Sequence, residues 1–394
     1  MELAHFYQRN QLHRFTGHPN FRHFEFAIWL HTVARSLISV FVPIFLFQSG
    51  YSIVAIIIFY LAFNAIDVPL NFVVARVMRA IGARKTLMLG TLFTVAFFVL
   101  LGALPLAWWS LLILAFLEAA YDTFFWISHI YIFMEASREE ANTAGTVGAL
   151  EAIKRLAGII GPIVGAVIVV MFGQSSLVLA SIAVFALSVI PLFKLRHLTD
   201  VPVGRTPSIR EFFASRREKQ DYSAMALWGI HSFIEGILWP LFIFTVFGTI
   251  GSVALVPAIV SLGTALFSYG AGRLTKRYGV RMVVVGSAVV ACMWVLRLTL
   301  LDPALYYASA LIVGAFSLLV AIPIDVRIVS RALTSGSLAA ATYRNAAAMV
   351  LRIPLCVVLI IVTNVFNFGF ALAAVSLLGI IASITLNNKK DPLM

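Results

Sequence analysis

The sequence predicts an all-α polytopic membrane protein with twelve transmembrane helices in two pseudo-symmetric six-helix bundles. Composition is the first reason: hydrophobic residues make up 61% of the chain and charged residues 12%, whereas a soluble domain carries about 25% charge. So much apolar surface cannot be buried in one aqueous globule, and a bilayer is the expected solvent. The other two reasons are the number of apolar runs and a basic turn that occurs twice.

Apolar runs broken by glycine, proline or clusters of charge supply the twelve candidate spans. Because backbone groups in lipid must hydrogen-bond within their own segment, we expect each span to be a helix. Runs such as IVAIIIFYLAF are uninterrupted, whereas a transmembrane barrel shows alternating segments of about ten residues. The spans are 26–49, 53–78, 85–104, 106–133, 143–171 and 175–195 in the first half, and 223–248, 252–272, 280–300, 303–329, 337–364 and 366–386 in the second.

A basic turn follows the second span of each half. NFVVARVMRAIGARK turns at Gly82, and GAGRLTKRYGVR turns at Gly279. These glycines are separated by half the length of the 394-residue chain, which predicts the duplication of a membrane unit. The basic residues are Arg76, Arg79, Arg84 and Lys85 in the first copy, and Arg273, Lys276, Arg277 and Arg281 in the second.

Among the connections between the spans, lysine and arginine occur only in alternate ones. Because membrane proteins concentrate these residues on the cytoplasmic side, we expect both termini and the long central loop to be cytoplasmic. This distribution accounts for the net charge of +12 with membrane lipids as partners and without nucleic acid. The expected setting is a monomer in a bacterial cytoplasmic membrane.

The predicted organisation has five parts. They are an interfacial cytoplasmic segment at 1–25, an N-terminal bundle at 26–195, a basic linker at 196–222, a C-terminal bundle at 223–386 and a cytoplasmic tail at 387–394. Within the linker, IREFFASRREK is predicted to be either a short amphipathic helix at the interface or a solvated connection.

This organisation resembles the major facilitator superfamily, whose members have a Gly-rich basic motif between the second and third helices of each half. The positions that match the motif are Gly82, Arg84 and Lys85 in the first copy, and Gly272, Arg277, Gly279 and Arg281 in the second. The motif's aspartate is replaced by Arg79 and Lys276, and its first glycine by Ala75. The resemblance implies a cytoplasmic gate at these turns.

Further charged residues near the same side are predicted to belong to this gate. Glu151, Lys154 and Arg155 can neutralise one another at helical spacing, and Arg344 is their counterpart in the second half. Because the motif aspartates are missing, we also expect an acidic partner for Arg79 among residues 135–140.

Two smaller resemblances bear on function. Helix five contains AGIIGPIVGAV, which is similar to a glycine-proline motif of many exporters and favours export; its residues are Gly158, Gly161, Pro162 and Gly165. Arg35, Asp67 and Trp126 resemble an arrangement in bacterial glycolipid flippases of the superfamily. Lipid or glycolipid flipping is therefore the alternative function.

Ionisable residues inside the spans are the candidate substrate and coupling residues, because a charge at the bilayer centre costs at least ~2.5–3.5 kcal/mol on insertion scales. HTVARSL in the first helix and HSFIEGI in the seventh place His31 and Arg35 in correspondence with His231 and Glu235. We expect Arg35 and Glu235 on opposite walls of a central cavity. They would bind substrate, act as a gate pair or form a permanent ion pair.

Carboxyl groups on the second and fourth helices supply a second candidate. Glu118 and Asp122 are four residues apart and share a helix face, so one of them is expected to carry a proton near neutral pH; neutralisation by Arg35 or Lys154 is the alternative. Asp67 is expected to pair with Arg35 or to contact substrate. In the same cavity we place Arg352, the deepest cation of the second half, and Trp126 as an aromatic contact.

The sequence contains no HExxH, GxSxG or GK[ST] motif, so no enzyme, metal or nucleotide site is predicted. Cys292 and Cys356 lie in apolar runs and are expected to be free thiols. The predicted function is a secondary active transporter of a small or amphipathic solute, working by alternating access without a cofactor, driven by a proton gradient and exporting its solute. A non-transporting receptor or a membrane-embedded enzyme is the alternative from another class.

Overall fold

The computed structural model describes residues 19–103, 107–138, 143–194, 206–299 and 302–388; for 143–155, 269–278 and a few helix-end positions it describes the backbone alone. The described residues are helical apart from short turns and contain no strand. Eleven described helices are long and apolar enough to cross a membrane, and a shorter apolar stretch, Leu156–Phe172, supplies the twelfth. The all-α polytopic prediction is therefore confirmed.

We number the twelve membrane helices α1 to α12. Their bounds are Pro19–Ile38 continued by Val42–Gln48 (α1), Ile53–Ile81 (α2), Ala83–Gly102 (α3), Trp108–Arg138 (α4), Thr143–Phe172 (α5), Gln174–Val189 (α6), Arg216–Phe233 continued by Trp239–Phe247 (α7), Pro303–Ser335 (α10), Ser337–Val350 continued by Arg352–Ile361 (α11) and Val365–Asn388 (α12). Helices α8 and α9 follow each other without a loop in the segment Ile250–Arg297, and a kink at Gly279 separates them.

The duplicated turn has a different backbone in each half. Gly82 ends α2 with φ 87°, in the left-handed region that favours glycine. Gly279 adopts φ 15° and ψ −92° inside an otherwise continuous helical segment. We call the bundle end that carries Gly82, Gly279 and Gly336 the basic side, and the opposite end the neutral side. These names describe the turns and not the orientation in a membrane.

Three helices are irregular near their middle. Helix α1 contains a 3₁₀ turn at Ser39–Phe41, followed by Pro43. Helix α7 contains a π-helical turn at Ile234–Leu238, followed by Pro240. Helix α11 bends at Leu351, ahead of Pro354. A proline lacks the donor that a continuous helix requires, and π turns alter the direction of side chains. These interruptions adjoin Arg35, Glu235 and Arg352.

The two halves pack together through α2 and α4 against α11, and through α5 against the α8–α9 segment. Helix α5 also approaches α1 closely, because a Cβ added at Gly161 would meet the backbone of Ser36. On the basic side, the short linker helix Ile209–Ala214 places the buried Phe212 against Phe72 of α2 and Tyr343 of α11. This part of the linker is therefore packed on the bundle.

Candidate functional site

A cavity of about 360 Å³ lies between the two halves. Its charged lining residues are Arg35, Glu118, Asp122, Glu235 and Arg352. Five predicted cavity residues are thus brought to one site. Helices α2 and α3 add an aromatic wall of Phe59, Tyr60, Phe63, Phe97 and Phe98.

Arg35 forms its ion pair within the first half. One of its Nη atoms donates to Oε1 of Glu118 on α4 at 2.6 Å. The guanidinium also lies 4.5 Å from the ring centre of Tyr121. Tyr121 in turn contacts Nε2 of His31 through its hydroxyl at 2.9 Å. The sequence therefore builds a chain of contacts from His31 through Tyr121 and Arg35 to Glu118.

Glu235 forms the corresponding ion pair within the second half. Its partner is Arg297 at the end of α9, with 2.7 Å between Nη1 and Oε2. The guanidinium of Arg297 lies 3.9 Å from the ring centre of Trp239 and 4.3 Å from that of Trp294. Trp294 donates its indole N–H to Nδ1 of His231 at 3.0 Å. The second half thus repeats the order histidine, aromatic ring, arginine, carboxylate.

Arg35 and Glu235 both line the cavity, but they do not form the permanent ion pair that was one of the three expected roles. Each has a countercharge in its own bundle, and a buried charge is strongly stabilised by a partner in hydrogen-bonding geometry. The correspondence seen in the sequence is real for His31 and His231. The charged residue four positions after each histidine differs: in α1 it is Arg35, the cation of its ion pair, and in α7 it is Glu235, the anion of its ion pair.

The two histidines and Trp126 do not line this cavity. His31 stacks on Phe125 with ring centres 3.6 Å apart, and His231 lies against Trp228 at 4.6 Å. Trp126 packs edge-on against Phe125 at 5.4 Å. All three side chains pack among aromatic rings instead of facing the cavity.

Asp122 makes a polar contact between the two halves. Its Oδ2 accepts a hydrogen bond from the side-chain amide of Asn345 on α11 at 2.9 Å. Asp67 is fully buried on α2, accepts a hydrogen bond at Oδ1 from Asn71 at 2.7 Å, and has no hydrogen-bond partner at Oδ2. The buried carboxyl groups of Asp67 and Asp122 lie close enough for their negative charges to repel each other.

These contacts decide between the alternatives expected for the carboxyl groups. Glu118 is neutralised by Arg35, which was one of the two expectations, whereas Asp122 lies near Asp67 of the neighbouring helix. Asp67 does not pair with Arg35 and does not line the cavity. The paired carboxyl groups therefore come from α2 and α4 rather than from one face of α4.

Arg352 lines the cavity without a countercharge in contact. Its Nε donates to the carbonyl of Gly229 at 3.0 Å, and its Nη1 contacts the sulfur of Met349 at 3.1 Å. Among the residues that the structure describes, Arg352 forms no ion pair. It differs in this respect from Arg35 and Arg297.

The predicted gate is described in part. Arg79 donates to the hydroxyl of Thr206, and Ser337 of α11 donates to Glu135 of α4. The expected acidic partner of Arg79 is therefore not Glu135, whereas Glu139 and Glu140 lie outside the described residues. Arg344 pairs with Asp325 at 2.9 Å.

The other gate residues fall into two groups. Arg76, Lys85 and Arg281 are exposed, and Arg84 is half-buried. Gly272, Lys276, Arg277, Glu151 and Arg155 lie outside the part of the chain whose side chains are described. In helix five, Gly158 approaches Ser261 of α8, and Gly161 and Gly165 approach α1; Pro162 lies inside the helix.

Sequence reasoning missed Arg297, Tyr121 and Asn345. Arg297 had a detectable signal, since it is a charged residue within the predicted span 280–300, near its end. Tyr121 and Asn345 are uncharged, so the search for ionisable residues passed over them. Among the described residues, no group of three or more His, Cys, Asp or Glu side chains could hold a metal ion.

Comparisons with known proteins agree with this architecture. No curated protein matches the chain significantly. A crystal structure of a bacterial homologue of the iron transporter ferroportin, in an outward-facing state, superposes with a TM-score of 0.69 at 12% identity, covering 94% of this chain and 99% of that one. At this identity the likeness shows the fold. The Major Facilitator Superfamily model matches residues 25–332, and since this is well over half of the sequence, the chain belongs to the Major Facilitator Superfamily.

Proposed function

We propose that this secondary transporter is coupled to protons and moves a small or amphipathic solute through the central cavity by alternating access. The proximity of the buried carboxyl groups of Asp67 and Asp122 carries the proposal. It combines two acidic groups, deep burial and a hydrogen bond to the opposite half of the protein. The setting we propose is a monomer in a bacterial cytoplasmic membrane, with both termini cytoplasmic.

A proton stabilises the Asp67–Asp122 pair directly. Two ionised carboxylates near each other repel in a low-dielectric interior. One proton on either carboxyl group removes this repulsion, and a protonated Asp67 can donate from its Oδ2, which has no hydrogen-bond partner. Because Asp122 also accepts a hydrogen bond from Asn345, proton binding affects a bond between the two halves.

The ion pairs suit a rocking motion. Arg35–Glu118 and Glu235–Arg297 each lie within one half, so both pairs can persist while one bundle moves against the other. The bonds that such a motion must break join α4 to α11: Asp122 to Asn345 near the cavity and Glu135 to Ser337 on the basic side. Discrete contacts of this kind are typical of two-state transitions.

The cavity volume favours a small solute. About 360 Å³ lies near the lower end of the range for ligand pockets and equals about twelve water molecules in the liquid. The glycine-proline segment of α5 favours export as the direction of transport. The glycines of this segment also pack closely against α1 and α8.

The test begins with a solute screen by thermal stabilisation, because a ligand that binds the folded state raises its stability. The stabilising solute is then added to liposomes that contain the protein and a luminal pH dye. We expect a change in luminal pH that Asp122→Asn abolishes. Asp302→Asn is the matched control, since Asp302 caps α10 and Asn caps helices equally well. Unchanged proton movement in Asp122→Asn would overturn the coupling proposal.

A further inference from the structure

We infer that the solute is an anion with an apolar body and that Arg352 binds its charged group. This inference rests on the proposed transport function and names the class of substrate. The observation that carries this inference is that the guanidinium of Arg352 lines the cavity and forms no ion pair with a described residue.

Arg352 is a cation whose two hydrogen-bonding partners are both neutral. The carbonyl of Gly229 and the sulfur of Met349 occupy Nε and Nη1. An arginine side chain carries five N–H donors in a planar fork, so donors are left for a ligand. A guanidinium withdrawn from water with no countercharge in contact is unfavourable, and the acidic groups nearest to Arg352, Asp122 and Asp67, make no hydrogen bond to it. A carboxylate, sulfonate or phosphate group supplies that countercharge in a bidentate geometry.

The other charges of the cavity do not compete for this role. Arg35 is held by Glu118 and Glu235 by Arg297, so neither pair offers an uncompensated charge. The apolar part of the solute is assigned to the wall of five aromatic residues from α2 and α3: Phe59, Tyr60, Phe63, Phe97 and Phe98. Aromatic rings provide large apolar contact areas.

Anion binding is linked to the proton through Asp122. The charged groups that face Asp122 are Asp67 on α2, Arg35 on α1, Glu118 on its own helix and Arg352 on α11. Ionised Asp122 weakens the binding of an anionic solute, because its negative charge already interacts with Arg352 and repels the solute. A proton taken from solvent onto the Asp67–Asp122 pair removes that competition. By reciprocity, the anion and the proton each favour the binding of the other, so the affinity for the anion rises as the pH falls.

The experiment uses small carboxylates and their neutral amides: benzoate with benzamide, and hexanoate with hexanamide. Dissociation constants are measured by thermal stabilisation of the detergent-solubilised protein at several pH values. A charge-assisted hydrogen bond contributes about 1.5–3 kcal/mol, so we expect at least one carboxylate to bind about 10–100-fold more tightly than its amide. Arg352→Gln should abolish this preference, and Arg352→Lys should retain part of it.

The preference is a ratio within one variant, so a general loss of stability does not imitate it. Arg210→Gln removes an exposed cation outside the cavity and should leave the ratio unchanged. Equal binding by the native protein of every anion and its neutral counterpart, including the lipid pair described next, would overturn the inference, as would a preference that persists in Arg352→Gln. Dihexanoyl phosphatidylglycerol, tested beside its phosphatidylcholine analogue, supplies the lipid arm. If it alone showed the Arg352-dependent preference, a soluble solute would be excluded.

Asp122→Asn separates this inference from the proposed function. We expect the variant to keep the preference for carboxylates while losing its pH dependence. If carboxylates were not preferred but Asp122→Asn still abolished proton movement, the substrate class would be wrong and the coupling proposal would stand. If proton movement were normal in Asp122→Asn while Arg352 still selected carboxylates, the coupling proposal would be wrong.

Discussion

The side-chain amide of Asn345 donates a 2.9 Å hydrogen bond to Asp122, and this bond joins α11 of the second bundle to α4 of the first. Both residues are buried. Asp122 is at the same time close enough to Asp67 for the two negative charges to repel each other. A single carboxyl group therefore connects the proposed proton site with the interface that the proposed rocking motion would open and close.

Replacing Asn345 by alanine should shift the balance between the two access states. A hydrogen bond to a charged group contributes about 1.5–3 kcal/mol, which corresponds to a population change of roughly 10–100-fold. The measurement is the distance between spin labels at the exposed positions Ser175 and Thr363, in a background without Cys292 and Cys356. Asn367→Ala, at an exposed site, is the control. Identical distance distributions in Asn345→Ala and the native protein would contradict a role for this bond.

Charge exchange should distinguish the observed ion pairs from the pair that the sequence suggested. Arg35 binds Glu118 at 2.6 Å, so Arg35→Glu combined with Glu118→Arg should recover part of the stability that each single variant loses. Arg35→Glu combined with Glu235→Arg should not, because each new charge would face one of its own sign. The measurement is the unfolding temperature of each variant in detergent. Recovery by the second combination alone would show that the halves meet differently.

Part of this site follows from sequence alone. Twelve apolar runs and the distribution of lysine and arginine predict the helices, and the cost of a charge in lipid identifies Arg35, Glu118, Asp122, Glu235 and Arg352 as cavity candidates. Partners are harder to predict, because successive residues of a helix point about 100° apart and a small rotation changes the neighbour that a side chain meets. The sequence correspondence between Arg35 and Glu235 reflects the equivalent places of α1 and α7 in the two halves. The countercharge that each of them meets is determined by packing within its own bundle.

Arg297 should be essential for the stability of the second half. Its side chain is fully buried, is bound to Glu235 and lies against two tryptophan rings. Removing one partner of a buried ion pair costs about 3–5 kcal/mol, and we expect the lower end because 12% of the Glu235 side chain is exposed to the cavity. Arg297→Gln should therefore lower the unfolding temperature strongly, and adding Glu235→Gln should restore part of it. A double variant less stable than Arg297→Gln would contradict this account.

The basic turn should control access through the contact of Arg79 with Thr206. This contact ties the end of α2 to the linker between the halves, in the place where the family motif has an aspartate. Arg79→Ala and Thr206→Val should each shift the distance between labels at Ser175 and Thr363. Because they remove the same bond, their effects should not add. Arg76→Ala removes a neighbouring exposed cation and should leave the distance unchanged. Additive effects of the two substitutions, or an equal shift in Arg76→Ala, would contradict a role of this contact in gating. The basic turn would then serve only to orient the protein in the membrane.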